Sequence, residues 1–269
     1  MTRIIIVGAA GRMGQTLIRN IAESKDMLLH AAVDRADLPQ QGRDVSKLLG
    51  GAALGVCLGS SLAAVLPGAD VVVDFSAAAI TAANLEACAA AGVPIIVGTT
   101  GQAASVEAVA AKAATRCAVL IAANTSLGVT LLADMVERVA RALPQEFDIE
   151  IVEAHHRDKK DAPSGTALAL GRAAAAGREQ DLTRVAEKAR DGDAPRRIGA
   201  IGFAVVRGGD IVGDHTVLFA GPGERLEMTH RITDRAIFAR GALQAARWLK
   251  GRKPGRYQMS DVISLKSIG

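Results

Sequence analysis

Between Glu153 and Ala167 the chain reads EAHHRDKKDAPSGTA, a stretch too polar and proline-broken to be core. His155, His156 and Lys159 are groups that can move protons, and Lys159 and Lys160 carry positive heads. Histidine is the default acid near neutrality. After Pro163, SGTALALG has the form of a helix start, with Ser164 as N-cap and Gly165 and Thr166 carrying the first free backbone N–H groups. Such an end attracts anions. A proton donor beside cationic heads and an amide-lined anion receptor suits a small carboxylate substrate that must be protonated.

The elements that must position this loop are legible around it. Upstream, Phe147 to Ala154 alternates apolar and charged residues, as a half-buried strand does. Adjacent histidines point opposite ways in a regular strand, so they share a site only if the backbone has turned, and a turn is expected there. The first half repeats a strand-then-helix beat, with strands at Ile4 to Gly8, Met27 to Asp34, Val71 to Ser76, Pro94 to Thr100 and Cys117 to Asn124. Their continuous β-branched runs indicate burial on both faces, as in a doubly wound parallel sheet. A helix from about Ser126 to Leu143 is expected to bridge two domains. Beyond Gly177, the segments IGFAVVR, IVGDHTVLFAG and ERLEMTHRI, separated by GGD and GPGE, are read as an antiparallel sheet with hairpins. A final helix begins at Asp234, and the tail from Tyr257 to Leu265 is expected to return to the first domain.

GAAGRMG (Gly8 to Gly14) lies between the first strand and the first helix, where glycines let backbone approach a pyrophosphate. Asp34 ends the second strand and is placed to accept from ribose hydroxyls, with Arg35 beside it for a 2′-phosphate or the adenine face. VGTTG (Val97 to Gly101) and AANTS (Ala122 to Ser126) end later strands and are expected to line a nicotinamide.

Net charge is +4, but aromatics are 3% and no basic cluster is interleaved with them, so a nucleic-acid partner is not expected. No apolar run reaches membrane-span length. The four-residue run Ile4 to Val7 does not match a secretory leader, which makes the cytoplasm the expected location. Cys57, Cys88 and Cys117 are odd in number and far apart, as reduced thiols are. Without HExxH or a nearby cysteine, the histidine loop is not expected to hold a metal, although Glu153, Asp158 or Asp161 could join it. His215 and His230 are read as structural or interface residues.

These motifs together resemble the dihydrodipicolinate reductase (4-hydroxy-tetrahydrodipicolinate reductase) family. The resemblance rests on GAAGRMG, VDFS, VGTTG, AANTSLGV, EAHHRDKKDAPSGTA, GFAVVRGGDIVGDHTVLF and GERLEMTHR, and covers nearly the whole chain. It implies reduction of a cyclic imine dicarboxylate to tetrahydrodipicolinate with NADH or NADPH, in diaminopimelate and lysine biosynthesis. It also implies a Rossmann-type domain, 1–126 with 237–269, and an α+β mixed-sheet domain, 127–236, for substrate and a homotetramer. Carried over by position, His155 and Lys159 are catalytic, and His156, Gly165 and Thr166 bind substrate. Gly8, Ala9, Ala10, Gly11, Arg12 and Met13, then Asp34 and Arg35, Gly98, Thr99 and Thr100, and Ala122, Ala123, Asn124 and Thr125 contact the cofactor. Lys160, and Ala123 before Asn124, depart from some members, and neither change removes a required group.

Overall fold

The computed structural model describes residues 1–101 and 105–263. The chain forms two compact units, Met1–Ser126 with the segment from Ala236 onward, and Leu127–Arg235.

The first unit opens with β1 (Thr2–Val7), α1 (Arg12–Ala22), β2 (Met27–Val33), α2 (Ser46–Leu49), β3 (Leu58–Gly59) and α3 (Leu62–Val65). It continues through β4 (Val71–Asp74), α4 (Thr81–Ala91), β5 (Ile95–Val97), α5 (Ser105–Ala113) and β6 (Ala118–Ile121). The second unit holds α6 (Leu127–Ala142), β7 (Asp148–His155), α7 (Gly165–Gly177), α8 (Leu182–Val185), β8 (Ala186–Glu187), β9 (Ile201–Arg207), β10 (Gly213–Gly221) and β11 (Glu224–Ile232). The chain then returns to the first unit as α9 (Ala236–Leu249), β12 (Gly255–Tyr257) and α10 (Met259–Val262).

Among the described residues the first sheet has the order β12-β6-β5-β4-β1-β2-β3, with every pairing parallel. Its central strands are sealed on both faces, since Ile4, Ile5, Ile6, Val71, Val72, Val73, Ile95, Ile96 and Val97 are all fully buried. Burial of each such side chain is worth about 1.5–3 kcal/mol, which is why uninterrupted apolar runs mark these strands. The tail returns as expected, with β12 pairing in parallel with β6. Its last residues, Ser264 and Leu265, lie outside the described residues. β3, α2 and α3 escaped sequence reading because two to four residues are too few to show a period.

The second sheet has the order β11-β10-β7-β9-β8 and is mixed. β7 pairs antiparallel with β10 but parallel with β9, so β7 separates β9 from β10. The antiparallel reading of these segments is therefore corrected, while the mixed sheet implied by the resemblance is borne out. GPGE closes the β10–β11 hairpin, whereas GGD closes none, because alternation reveals which face is buried but not which strand is the neighbour. The expected bridging role of α6 is corrected too: it starts at the unit boundary and packs on α7 and β11 within the second unit. Leu132, Val136 and Ala140 of α6 and Leu170 and Ala174 of α7 cover Ile149, Ile151, Val217 and Phe219 of the sheet.

Candidate active site

In the first unit, the residues expected at a dinucleotide all leave the C-terminal ends of β1, β2, β5 and β6. Strand order reverses at β1, which lies between β4 and β2. Ligands of open α/β sheets bind at such a point. The loop after β1 is sewn to β2: Gly8 and Ala9 donate their N–H groups to the Val33 carbonyl, and Ala10 N–H donates to Asp34 Oδ2 at 2.8 Å. Asp34 thus shapes the loop with one oxygen, while Oδ1 accepts from Arg35 N–H at 2.8 Å.

Backbone crowding explains two of the loop's glycines. Gly8 has φ +79°, and a Cβ there would stand 2.6 Å from the Phe75 carbonyl oxygen. A Cβ on Gly14 would overlap the Gly8 carbonyl oxygen and stand 2.7 Å from Ala9 Cα. Gly11 caps α1 with no side chain, and the first turn carries no acidic residue. A tight turn feeding an uncapped helix start fits a pyrophosphate. Arg12 and Arg35 are exposed, and the Arg35 guanidinium lies 3.3 Å from Asp37.

At β5 and β6, Gly98 gives way to the Phe75 ring, and Thr99 Oγ1 donates to the Ser76 carbonyl. Thr100 and Ala123 are exposed, Ala122 N–H donates to Val97, and Asn124 Oδ1 accepts from Ser126 N–H. Thr125 is buried, and its hydroxyl donates to the Phe238 carbonyl at 2.7 Å, so that side chain holds α9 in place.

In the second unit, the inward face of β7 runs Ile149, Ile151, Glu153, His155, turning from apolar to ionisable at its C-terminal end. The inward face of β10 makes the same change in reverse, with His215 leading to Val217 and Phe219. Register joins the polar ends: His215 lies opposite Glu153, and Arg207 of β9 lies beside His155.

Glu153 is fully buried and accepts from four groups. Its Oε1 takes Arg207 Nη2 at 2.7 Å and Ser164 N–H at 3.0 Å. Its Oε2 takes Arg207 Nη1 at 2.8 Å and bonds His155 Nδ1 at 2.5 Å. Burial pushes this carboxyl's pKa up, but Arg207, His155 and the Ser164 amide together hold it below the usual value. Burial also pushes His155 down, more than Glu153 raises it, with Lys159 and Arg207 adding to the depression.

His156 follows the strand and points elsewhere: Arg235 Nη2 lies 3.1 Å from its Nε2. The two histidines therefore do not converge on one partner. Lys159 Nζ donates to Asp161 Oδ1 at 2.8 Å, while Lys160 is exposed. Ser164 caps α7, its Oγ accepting from Ala167 N–H at 3.1 Å. A Cβ on Gly165 would meet nothing within 4 Å, so the helix start is open to close approach. Glu153, Arg207 and His215 complete the cluster around His155, while Arg235 stands with His156; sequence reading assigned none of the three basic residues to a site and named Glu153 only as a possible metal ligand. Period two in FDIEIVEAHH does place Glu153 and His155 on one face, whereas nothing in the sequence marks Arg207 as their neighbour. Glu153, His155 and His215 are metal-ligand types within 4.8 Å of one another. Arg207 already occupies both Glu153 oxygens, so a cation would meet a fixed positive charge.

His215 is 1% exposed, and its Nε2 lies 3.0 Å from Ser164 Oγ. Burial, helped by charge on His155, lowers its pKa from 6.5 to about 4. The unfolded chain then binds more protons than the folded one between about pH 4 and 6.5, so stability rises with pH across that window and is lost as pH falls through it. Urea midpoints measured from pH 4 to 7 should show this slope, and it should flatten in His215→Gln; an equally steep slope in the variant would remove His215 as its source.

Comparison with known proteins agrees with the geometry of both units. The family described as dihydrodipicolinate reductase, N-terminus, matches residues 2–125, and its C-terminus counterpart matches residues 128–263. A 4-hydroxy-tetrahydrodipicolinate reductase of Rhodopseudomonas palustris (strain TIE-1) is 49% identical over 267 residues, 99% of this chain and 98% of the relative. One from Thiobacillus denitrificans is 49% identical over 265 residues, 98% of this chain and 99% of the relative. Among solved structures, a dipicolinate-bound dihydrodipicolinate reductase from Paenisporosarcina sp. TG-14 shares the fold with a TM-score of 0.80 at 23% identity, covering 98% of this chain and 99% of that one. With both halves matched and near-half identity along almost its whole length, the chain belongs to the dihydrodipicolinate reductase family.

Proposed function

We propose that the protein uses NADH or NADPH to reduce the cyclic imine dicarboxylate formed by loss of water from 4-hydroxy-tetrahydrodipicolinate, giving tetrahydrodipicolinate in diaminopimelate and lysine biosynthesis. The observation that carries this reading is Glu153, whose two oxygens tie His155 to the first amide before α7. A proton donor and an anion receptor are thereby built as one piece.

The nicotinamide cofactor, when bound, supplies a hydride. The Gly8–Met13 turn and the start of α1 would hold its pyrophosphate, and Asp34 and Arg35 its adenosine end. Residues 98–100 and 122–125 would line the nicotinamide. Hydride addition to a conjugated imine leaves an electron-rich enamine, whose carbon must take a proton. His155 as imidazolium donates it from Nε2 and is left neutral, with its remaining proton on Nδ1. Lys159 is the second catalytic group, placing a positive charge at the site while Asp161 orients it. His156, Gly165 and Thr166 receive the substrate carboxylates, with Lys160 and Arg235 adding positive charge to the loop.

No helix among the described residues is long and apolar enough to cross a membrane. The family resemblance supports a homotetramer working in the cytoplasm on a small dicarboxylate, with no nucleic-acid partner. Added to pyruvate, aspartate semialdehyde and the preceding synthase, the protein should oxidise NADH or NADPH, read as loss of reduced-cofactor absorbance. Absence of protein-dependent oxidation would sink the assignment.

A further inference from the structure

We propose that Glu153, clamped by Arg207, is the positioning residue of the proton donor: it fixes which ring nitrogen of His155 exchanges the reacting proton and keeps the ring able to carry that proton. The inference rests on the reading of His155 as the donor.

The geometry is that of an oriented base. Arg207 grips the carboxylate bidentately, at 2.7 and 2.8 Å, which fixes its plane. Ser164 N–H occupies a further lone-pair direction on Oε1. What remains on Oε2 points at His155 Nδ1, 2.5 Å away. An ionised carboxylate accepts only, so Nδ1 must be the ring's donor and Nε2 is left to gain and lose the proton. Nε2 lies over Gly213, where a Cβ would stand 3.0 Å away, so that position of β10 puts no side chain against it, while the His215 ring two residues on meets the His155 ring edge-on with centroids 5.1 Å apart.

Charge acts on the ring as well. His155 is 8% exposed and is faced by Lys159 from its own loop, Arg207 from β9 and His215 from β10, with His230 of β11 behind His215. Asp161 is taken by Lys159. Among the described residues, Glu153 is the carboxylate bonded to the ring, and without it burial and the surrounding cations all act against imidazolium. A buried ion pair of this kind adds little to stability over an apolar pair of the same volume. Its effect lies in what it orients.

The test uses the full-length protein. In wild type, 15N NMR of labelled histidine should show neutral His155 protonated at Nδ1; a ring protonated at Nε2 overturns the proposal without any variant. In Glu153→Gln, the alkaline limb of the kcat profile should move down by about one pH unit or more, the effect of losing an opposite charge at this range. Turnover above the limb then falls at least about tenfold, with the cofactor KM within about twofold. Glu153→Asp should restore the position of the limb at a lower plateau, because charge returns while reach does not. An unmoved limb in folded Glu153→Gln overturns the inference. Full turnover in His155→Gln would instead remove the reading beneath it, leaving the NMR assignment standing, so the two failures are told apart.

Discussion

Replacing His155 with glutamine is expected to lower turnover by about 10²–10⁴-fold, the range for loss of a positioned general acid, while cofactor affinity stays within about twofold. Glutamine suits the test because its amide can still donate to Glu153, so the buried carboxylate keeps its fourth donor and the fold is not left with an unpaired charge. Only the proton on the far side of the ring is lost. Lys159→Ala should also reduce turnover, by removing the ammonium that Asp161 holds at the loop. Stopped-flow measurement of hydride transfer alongside titration of NADH and NADPH separates the two effects. Unchanged turnover in both variants would take His155 and Lys159 out of the chemistry.

Gly14→Ala is expected to destabilise the protein by about 3 kcal/mol, the upper part of the usual range for overpacking. The atoms a Cβ would meet, in Gly8 and Ala9, all belong to backbone and cannot rotate aside. Relief requires the turn before α1 to move, which displaces the amides proposed to receive the pyrophosphate. Dinucleotide affinity should therefore fall at least about tenfold, or about 1.4 kcal/mol. Gly11→Ala is the control for stability alone, since its Cβ would stand 3.2 Å from a single carbonyl oxygen, a much milder contact. Chemical denaturation and fluorescence titration of NADPH check both variants. A Gly14→Ala protein as stable and as tightly binding as wild type would show that the turn tolerates a side chain.

Much of the first unit could be read along the chain, because a parallel sheet buried on both faces demands long apolar strands, and a glycine turn between strand and helix is a local signal. Asp34 was placed correctly at the end of β2, but its bond to Ala10 N–H depends on how the loop folds back over β2. The histidine loop was equally visible, as was Ser164 at the start of α7. Glu153 stood in plain view two residues before His155, and period two alone would pair them. Arg207 and His215 did not, being 54 and 62 residues from Glu153 and brought to it only by strand pairing.

By itself, then, the sequence determined the longer elements, the glycine turn, the polar histidine loop and the family they resemble, since each is carried by residues a few positions apart. Tertiary structure decided that β7 lies between β9 and β10, that His155 and His156 face different partners, and that a buried carboxylate held by Arg207 bonds the ring of His155. The physical reason is that alternation specifies a strand's buried face but not its neighbour. Only when registers are set do Glu153, Arg207 and His215 become a single electrostatic unit.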